Sequence, residues 1–194
     1  MATTTATHPD RLHFTGNEAA DALIAREPFA LLVGFALDQQ VPVQTAFSGP
    51  LKIKQRLGTL DPRKLSSMDP AELDAAFREK PAVHRFPGTM AQRVQDLAAF
   101  VAAEYGGKPE RIWTDARDGR DLDARLRNLP GFGDMKVRSM LAVLAKRFGV
   151  RPPGMDEVVP KHPTLGDVDS AEALAEYQEK KRAHKAEMRA KRQA

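Results

Sequence analysis

Leu129-Pro130-Gly131-Phe132-Gly133-Asp134-Met135-Lys136 sets the tightest limit on how this chain folds, because two helical patterns meet there across a join too short for an ordinary loop. Before it, Leu122, Leu126 and Leu129 recur at spacings of four and three, one face of a short helix, with Asp121 as the predicted N-cap. After it, Val137, Met140, Leu141, Leu144 and Phe148 repeat at helical spacing until Gly149 closes the run. The predicted hairpin therefore spans residues 121–148. Its two glycines supply positive φ or let another backbone approach closely. Backbone N–H groups of the turn, with the unpaired N–H groups opening the second helix, would make an anion site suited to a nucleic-acid phosphate. Taken alone, the same turn serves equally as a plain helix–helix corner.

The other segments also read as helix. Asn17 to Arg26 carries Ala20, Leu23 and Ile24 on one side, and Pro28 opens a run from Phe29 to Leu37 that is apolar nearly all round, the predicted central buried helix. That run stops at the polar triplet Asp38-Gln39-Gln40, either a set of caps or the edge of a pocket. Residues 43–57 keep helical spacing, with a kink or break expected at Gly49-Pro50. Asp61-Pro62 and Asp69-Pro70 each place an N-cap before a proline at the first helical position. Thr89 and Gln92 suggest a capping box for a helix running to Tyr105, and Trp113 is expected in the core. No stretch alternates as a strand, so the predicted fold is all-α, with two small lobes sharing a core.

Charge needs locating before it carries meaning. The formal net charge is +4, yet residues 179–194 hold seven Lys/Arg against Glu179 and Glu187, leaving about −1 for residues 1–178. The basic character belongs to a C-terminal tail, residues 176–194, expected to be a partly frayed, solvated helix. Residues 1–16 are expected to be flexible. Zero cysteines exclude disulfides, thiolate zinc sites and a cysteine-ligated iron–sulfur cluster. Five scattered histidines offer no metal-ligand spacing, so no metal site is expected. No signal peptide or membrane-length apolar run is found, and a cytoplasmic monomer is expected, nucleoid-associated if bacterial.

The order of a buried helix ending in glutamines, a helical middle, Leu129-Pro130-Gly131-Phe132-Gly133, a helix ending Phe148-Gly149 and a Gly/Pro loop with Asp156 resembles the helix-hairpin-helix-GPD superfamily of DNA glycosylases, the endonuclease III class. The resemblance covers about residues 17–170, within a predicted domain of residues 17–175. It implies double-stranded DNA as partner, with Leu129 to Asp134 and Lys136 as the binding hairpin, where relatives also coordinate a monovalent cation through carbonyls. It also implies base-excision chemistry, in which a nucleotide leaves the stack and enters a pocket. Asp156 stands where the family's catalytic aspartate would be, stabilising positive charge on the sugar as the glycosidic bond breaks. An N-cap or a surface acid is the other reading of that residue. Phe35, Asp38, Gln39, Gln40 and Met135 are the expected pocket or lesion-side residues.

Departures from the pattern shape the expectation. The family's Schiff-base lysine would fall two positions after the second hairpin glycine, where this chain has Met135. Lys136 lies one residue further, a rotation of roughly 100° on a helix, and is expected to face DNA or solvent. The resemblance thus implies a monofunctional glycosylase that removes a base and leaves the strand uncut. The alternative is a DNA-binding protein of the same fold that has lost catalysis and recognises damaged or distorted DNA. The Glu157-Val158 that follows Asp156 departs from the family's usual small polar residue and histidine.

Overall fold

The computed structural model describes residues 8–193, and among them the regular structure is entirely helical. In chain order the helices are α1 (Glu18–Arg26), α2 (Pro28–Leu37), α3 (Val43–Leu57), α4 (Pro62–Ser67), α5 (Pro70–Arg78), α6 (Pro87–Tyr105), α7 (Arg111–Thr114), α8 (Gly119–Arg127), α9 (Asp134–Arg147), α10 (Met155–Val158) and α11 (Ala171–Gln193). A 3₁₀ turn at Leu165–Asp167 precedes the last. The all-α expectation holds.

Most helix starts follow the chemistry expected of them. Asn17 accepts a hydrogen bond from the Ala20 N–H, and Asp61 and Asp69 do the same for Arg63 and Ala71, each just before a helix. Two starts are displaced. Asp118, not Asp121, caps α8, accepting the Asp121 N–H at 2.8 Å; Asp121 lies in the first turn, where its carboxylate accepts from Arg117 and Arg125. α6 opens at Pro87 without a side-chain cap, so Thr89 sits inside it. Pro50 does not interrupt α3, which runs unbroken from Val43 to Leu57.

α2 is buried from Phe29 to Leu37 and forms the centre. Gly34 is required there: a Cβ on it would lie 2.4 Å from the Phe47 ring of α3. Phe47 in turn meets Phe14 and Phe35 edge to face, with centroids 5.0 and 5.1 Å apart. α1 to α6 pack as one group, and α7 to α10 with the 3₁₀ turn as another, while one continuous hydrophobic cluster runs through both.

The N-terminal segment differs from expectation. The flexibility expected of residues 1–16 falls partly on residues 1–7, outside the described residues. Residues 8–16, however, are built into the fold: Leu12 and Phe14 are fully buried. Asp21, itself buried, accepts the backbone N–H of Phe14 at 3.1 Å and of Thr15 at 2.9 Å. Two core side chains without a helical or strand period escape a periodicity reading. At the other end, the start of the basic tail is docked. Ser170 caps α11, Leu174 is buried, and the Gln44 and Gln178 amides exchange two hydrogen bonds of 3.1 and 2.6 Å.

Candidate active site

The hairpin turn joins α8 to α9 with Gly131 in the left-handed region at φ +79° and Gly133 extended at φ −87°, ψ 175°. Leu129 and Phe132 point into the core and anchor the turn from below. Gly133 is the N-cap residue of α9 and no side chain caps the helix, so the N–H groups of its first turn remain open to an anion. Around Gly133 nothing would meet an added Cβ, which leaves that backbone accessible. Asp134 is exposed between Arg127 and Arg138, at 3.0 and 2.9 Å, and these partners hold its carboxyl below the usual range.

A cavity of about 620 Å³ opens beside this turn, between the end of α2, the start of α9 and the first half of α11. Phe35, Asp38, Gln40, Lys136, Ser139 and Tyr177 line it, with Arg85, Met135, Lys181 and Lys185 also contributing. One carboxylate thus faces four cationic side chains, a balance suited to a phosphate-bearing ligand. Asp38 sits in the carboxy-terminal cap of α2, where burial raises its pKa against the opposing pull of Lys181 and Lys136. Gln40 has φ +56°, an uncommon conformation for a residue other than glycine, in the bend that turns the chain along the cavity wall.

Lys136 corrects the sequence expectation. It faces inward, its Nζ donating a 2.9 Å hydrogen bond to the Ala36 carbonyl at the end of α2. Burial, with repulsion from Arg93, lowers its pKa to about 8 despite the attraction of Asp38. Met135 occupies the outward position and is 78% exposed, very high for so apolar a residue. Both nonetheless line the cavity, Lys136 from within and Met135 from its exposed rim.

Asp156 is also displaced from its expected place. Its side chain is 89% exposed on α10, paired at 2.9 Å with Arg151, and lines neither this cavity nor the neighbouring groove. Close packing holds α10 against α8 on that side: a Cβ on Gly119 would stand 2.7 Å from the Gly154 carbonyl oxygen. Gln39, unlike Asp38 and Gln40, turns away from the cavity, and its side-chain oxygen accepts from Arg93.

Other side chains complete the site. The Arg93 side chain spans from Gln39 to the hairpin, its Cδ lying 3.0 Å from where a Gly131 Cβ would be. His84 is buried; its Nδ1 accepts the Phe86 N–H at 3.0 Å, so Nε2 carries the proton and donates to the Gln39 carbonyl at 3.1 Å. Burial also lowers the His84 pKa. Tyr177, Lys181 and Lys185 follow at four-residue spacing along α11 and form one wall. That spacing was visible, but no local signal tied the face to residue 38. Beyond Met135, Ser139 and Tyr177 lies a more apolar groove of about 600 Å³ that includes His162, Pro163 and His184.

Among the described residues, no group of three or more His, Asp or Glu side chains is placed to hold a metal ion, and no helix is long and apolar enough to cross a membrane. Residues 33–191 match the family model described as HhH-GPD superfamily base excision DNA repair protein. No curated protein and no solved structure gives a significant match.

Proposed function

The chain belongs to the HhH-GPD superfamily of base excision DNA repair proteins, and from that premise we propose that it removes a damaged or mismatched base from duplex DNA. The supporting observation is the cavity that places Asp38 and Lys136 immediately beside the open N-terminus of α9. In this reading the hairpin holds a phosphate while the adjacent nucleotide swings out of the stack into the cavity. Phe35 and Tyr177 supply apolar surface for the base, and Gln40 and Ser139 supply hydrogen-bonding groups for its edge. Met135, exposed at the mouth, contacts the duplex where the base has left.

The proposed chemistry is hydrolysis. The C1′–N bond breaks with its electron pair leaving on the base, water adds to C1′, and the water's proton passes to a carboxylate. Asp38 is the candidate carboxylate, because it faces the cavity and Asp156 does not. Its negative charge stabilises the cationic sugar as the bond stretches. Lys136, mostly protonated at neutral pH, offsets the charge accumulating on the departing base.

One observation favours a second reading. With its pKa lowered to about 8, Lys136 can give up its proton near neutral pH and act as an amine nucleophile toward C1′. Such an enzyme would form an imine with the sugar and then cut the strand. Duplexes carrying uracil, alkylated, oxidised or mismatched bases separate the readings. Base release that exposes an alkali-labile site, without borohydride trapping, supports hydrolysis. A trapped adduct absent from Lys136→Met supports the amine mechanism. Salt-sensitive binding with no release across the panel identifies a DNA-binding protein without catalysis.

A further inference from the structure

α11 sorts its charges by side. At roughly 100° per residue, Lys181, Arg182, Lys185 and Arg189 fall within an arc of about 100°. Glu172, Glu176, Glu179 and Glu187 fall within an arc of about 80° on the opposite side. Lys180 and Lys191, between the two, pair with Glu176 at 2.6 Å and Glu187 at 2.7 Å. Among the described residues, no carboxylate lies within ion-pair distance of any of the four stripe cations. A helix selected only for solubility has no reason to collect its unpaired cations on one face.

The stripe is continuous with the cavity. Lys181 and Lys185 line its wall, and from there the stripe follows a part of α11 that packs against nothing: every residue from Glu179 to Lys191 is exposed. The only large apolar side chain beyond Gln178 is Met188, so this stretch lacks the buried anchors a protein partner would grip. Over the eight steps from Lys181 to Arg189 the helix rises about 12 Å, a distance along which duplex DNA presents roughly seven phosphate charges.

We propose that the unpaired basic stripe of α11 is a second DNA-binding element, lying along the phosphate backbone of the duplex that flanks the cavity. It rests on the DNA-binding reading above. The hairpin grips the strand at the extruded nucleotide, and α11 grips the flanking duplex. The near-neutral body explains why such an element is needed: residues 1–178 supply almost no net positive charge of their own.

The test measures binding of the full chain to a fluorescent undamaged duplex by anisotropy across a salt series. Three proteins are compared: wild type, Lys185→Gln/Arg189→Gln, and Lys64→Gln/Lys108→Gln. The last pair gives the same change in net charge at exposed lysines that line neither cavity. The stripe variant should bind at least tenfold more weakly near physiological salt. The slope of log affinity against log salt should fall by about 2, close to the value for two lost phosphate contacts. The control should keep the wild-type slope, and circular dichroism should show equal helix content in all three. An unchanged slope in the stripe variant, or equal losses in both variants, overturns the proposal. If the wild type itself binds no duplex, the DNA-binding reading fails first, and separately.

Discussion

Lys136 Nζ donates its hydrogen bond to the carbonyl oxygen of Ala36, one hundred residues earlier, and so ties the first turn of α9 to the last turn of α2. The contact satisfies a carbonyl that the end of α2 would leave open, and it fixes an amine beside Asp38 in the cavity wall. Burial makes the charged form of that amine expensive.

The pH dependence of stability reports this directly. Native Lys136 loses its proton near pH 8, against an ordinary value of 10.5, so between those values the unfolded chain holds more protons. Its burden on stability is fully present below pH 8 and is relieved as pH rises through that window. Lys136→Met should therefore be more stable than wild type at pH 7, by on the order of 1 kcal/mol after allowing for the lost hydrogen bond and the solvent open to the cavity. Denaturant melts at pH 7 and pH 10 should show the advantage shrinking at the higher pH.

The two hairpin glycines should respond differently to alanine. At Gly131, φ +79° and the nearby Arg93 side chain resist a Cβ, so Gly131→Ala should lose about 1–2 kcal/mol in thermal or denaturant melts. Gly133 has an ordinary backbone conformation and open space. Gly133→Ala should melt close to wild type yet bind duplex DNA at least tenfold more weakly, because the added methyl stands where a phosphate approaches. Wild-type affinity in Gly133→Ala would remove the hairpin from the interface.

Asp38 and Asp156 are separated by paired substitutions. Asp38→Asn should lower base release by a hundredfold or more while leaving the protein at least as stable at neutral pH, since burial raises the Asp38 pKa and its charge burdens the native state above the carboxylate range. Asp156→Asn should keep release within twofold of wild type. The opposite ranking in a single-turnover assay would return the catalytic assignment to α10.

Phe14 tests the N-terminal segment. Its ring is fully buried against Phe47, and Phe14→Ala should destabilise the fold by about 3–4 kcal/mol in urea unfolding. A loss below 1 kcal/mol would mean that residues 8–16 are a detachable strap.

Much of the fold was readable because its signals are local. The apolar run of α2, the Asp-Pro starts of α4 and α5 and the leucine spacing around the hairpin each combine a period with a cap. Phe14 and Leu12 were missed because they pack without a period. The site was legible in part: Phe35, Asp38, Gln40 and Met135 do meet at one cavity. The inward turn of Lys136 depends on how α9 is rotated against α2, which no local pattern encodes. The distance of Asp156 along the chain from the hairpin suggests a place at the site, whereas its exposure follows from the packing of α10 on α8.

The amides of Gln44 and Gln178 carry no charge, and that has a consequence for how α11 behaves in salt. Ions that weaken the lysines and arginines of the stripe leave an amide pair untouched, as does pH across the range in which the protein is folded. The seat of the helix and its grip are thus governed by different physics, and raising the ionic strength should release DNA while the cavity keeps its wall.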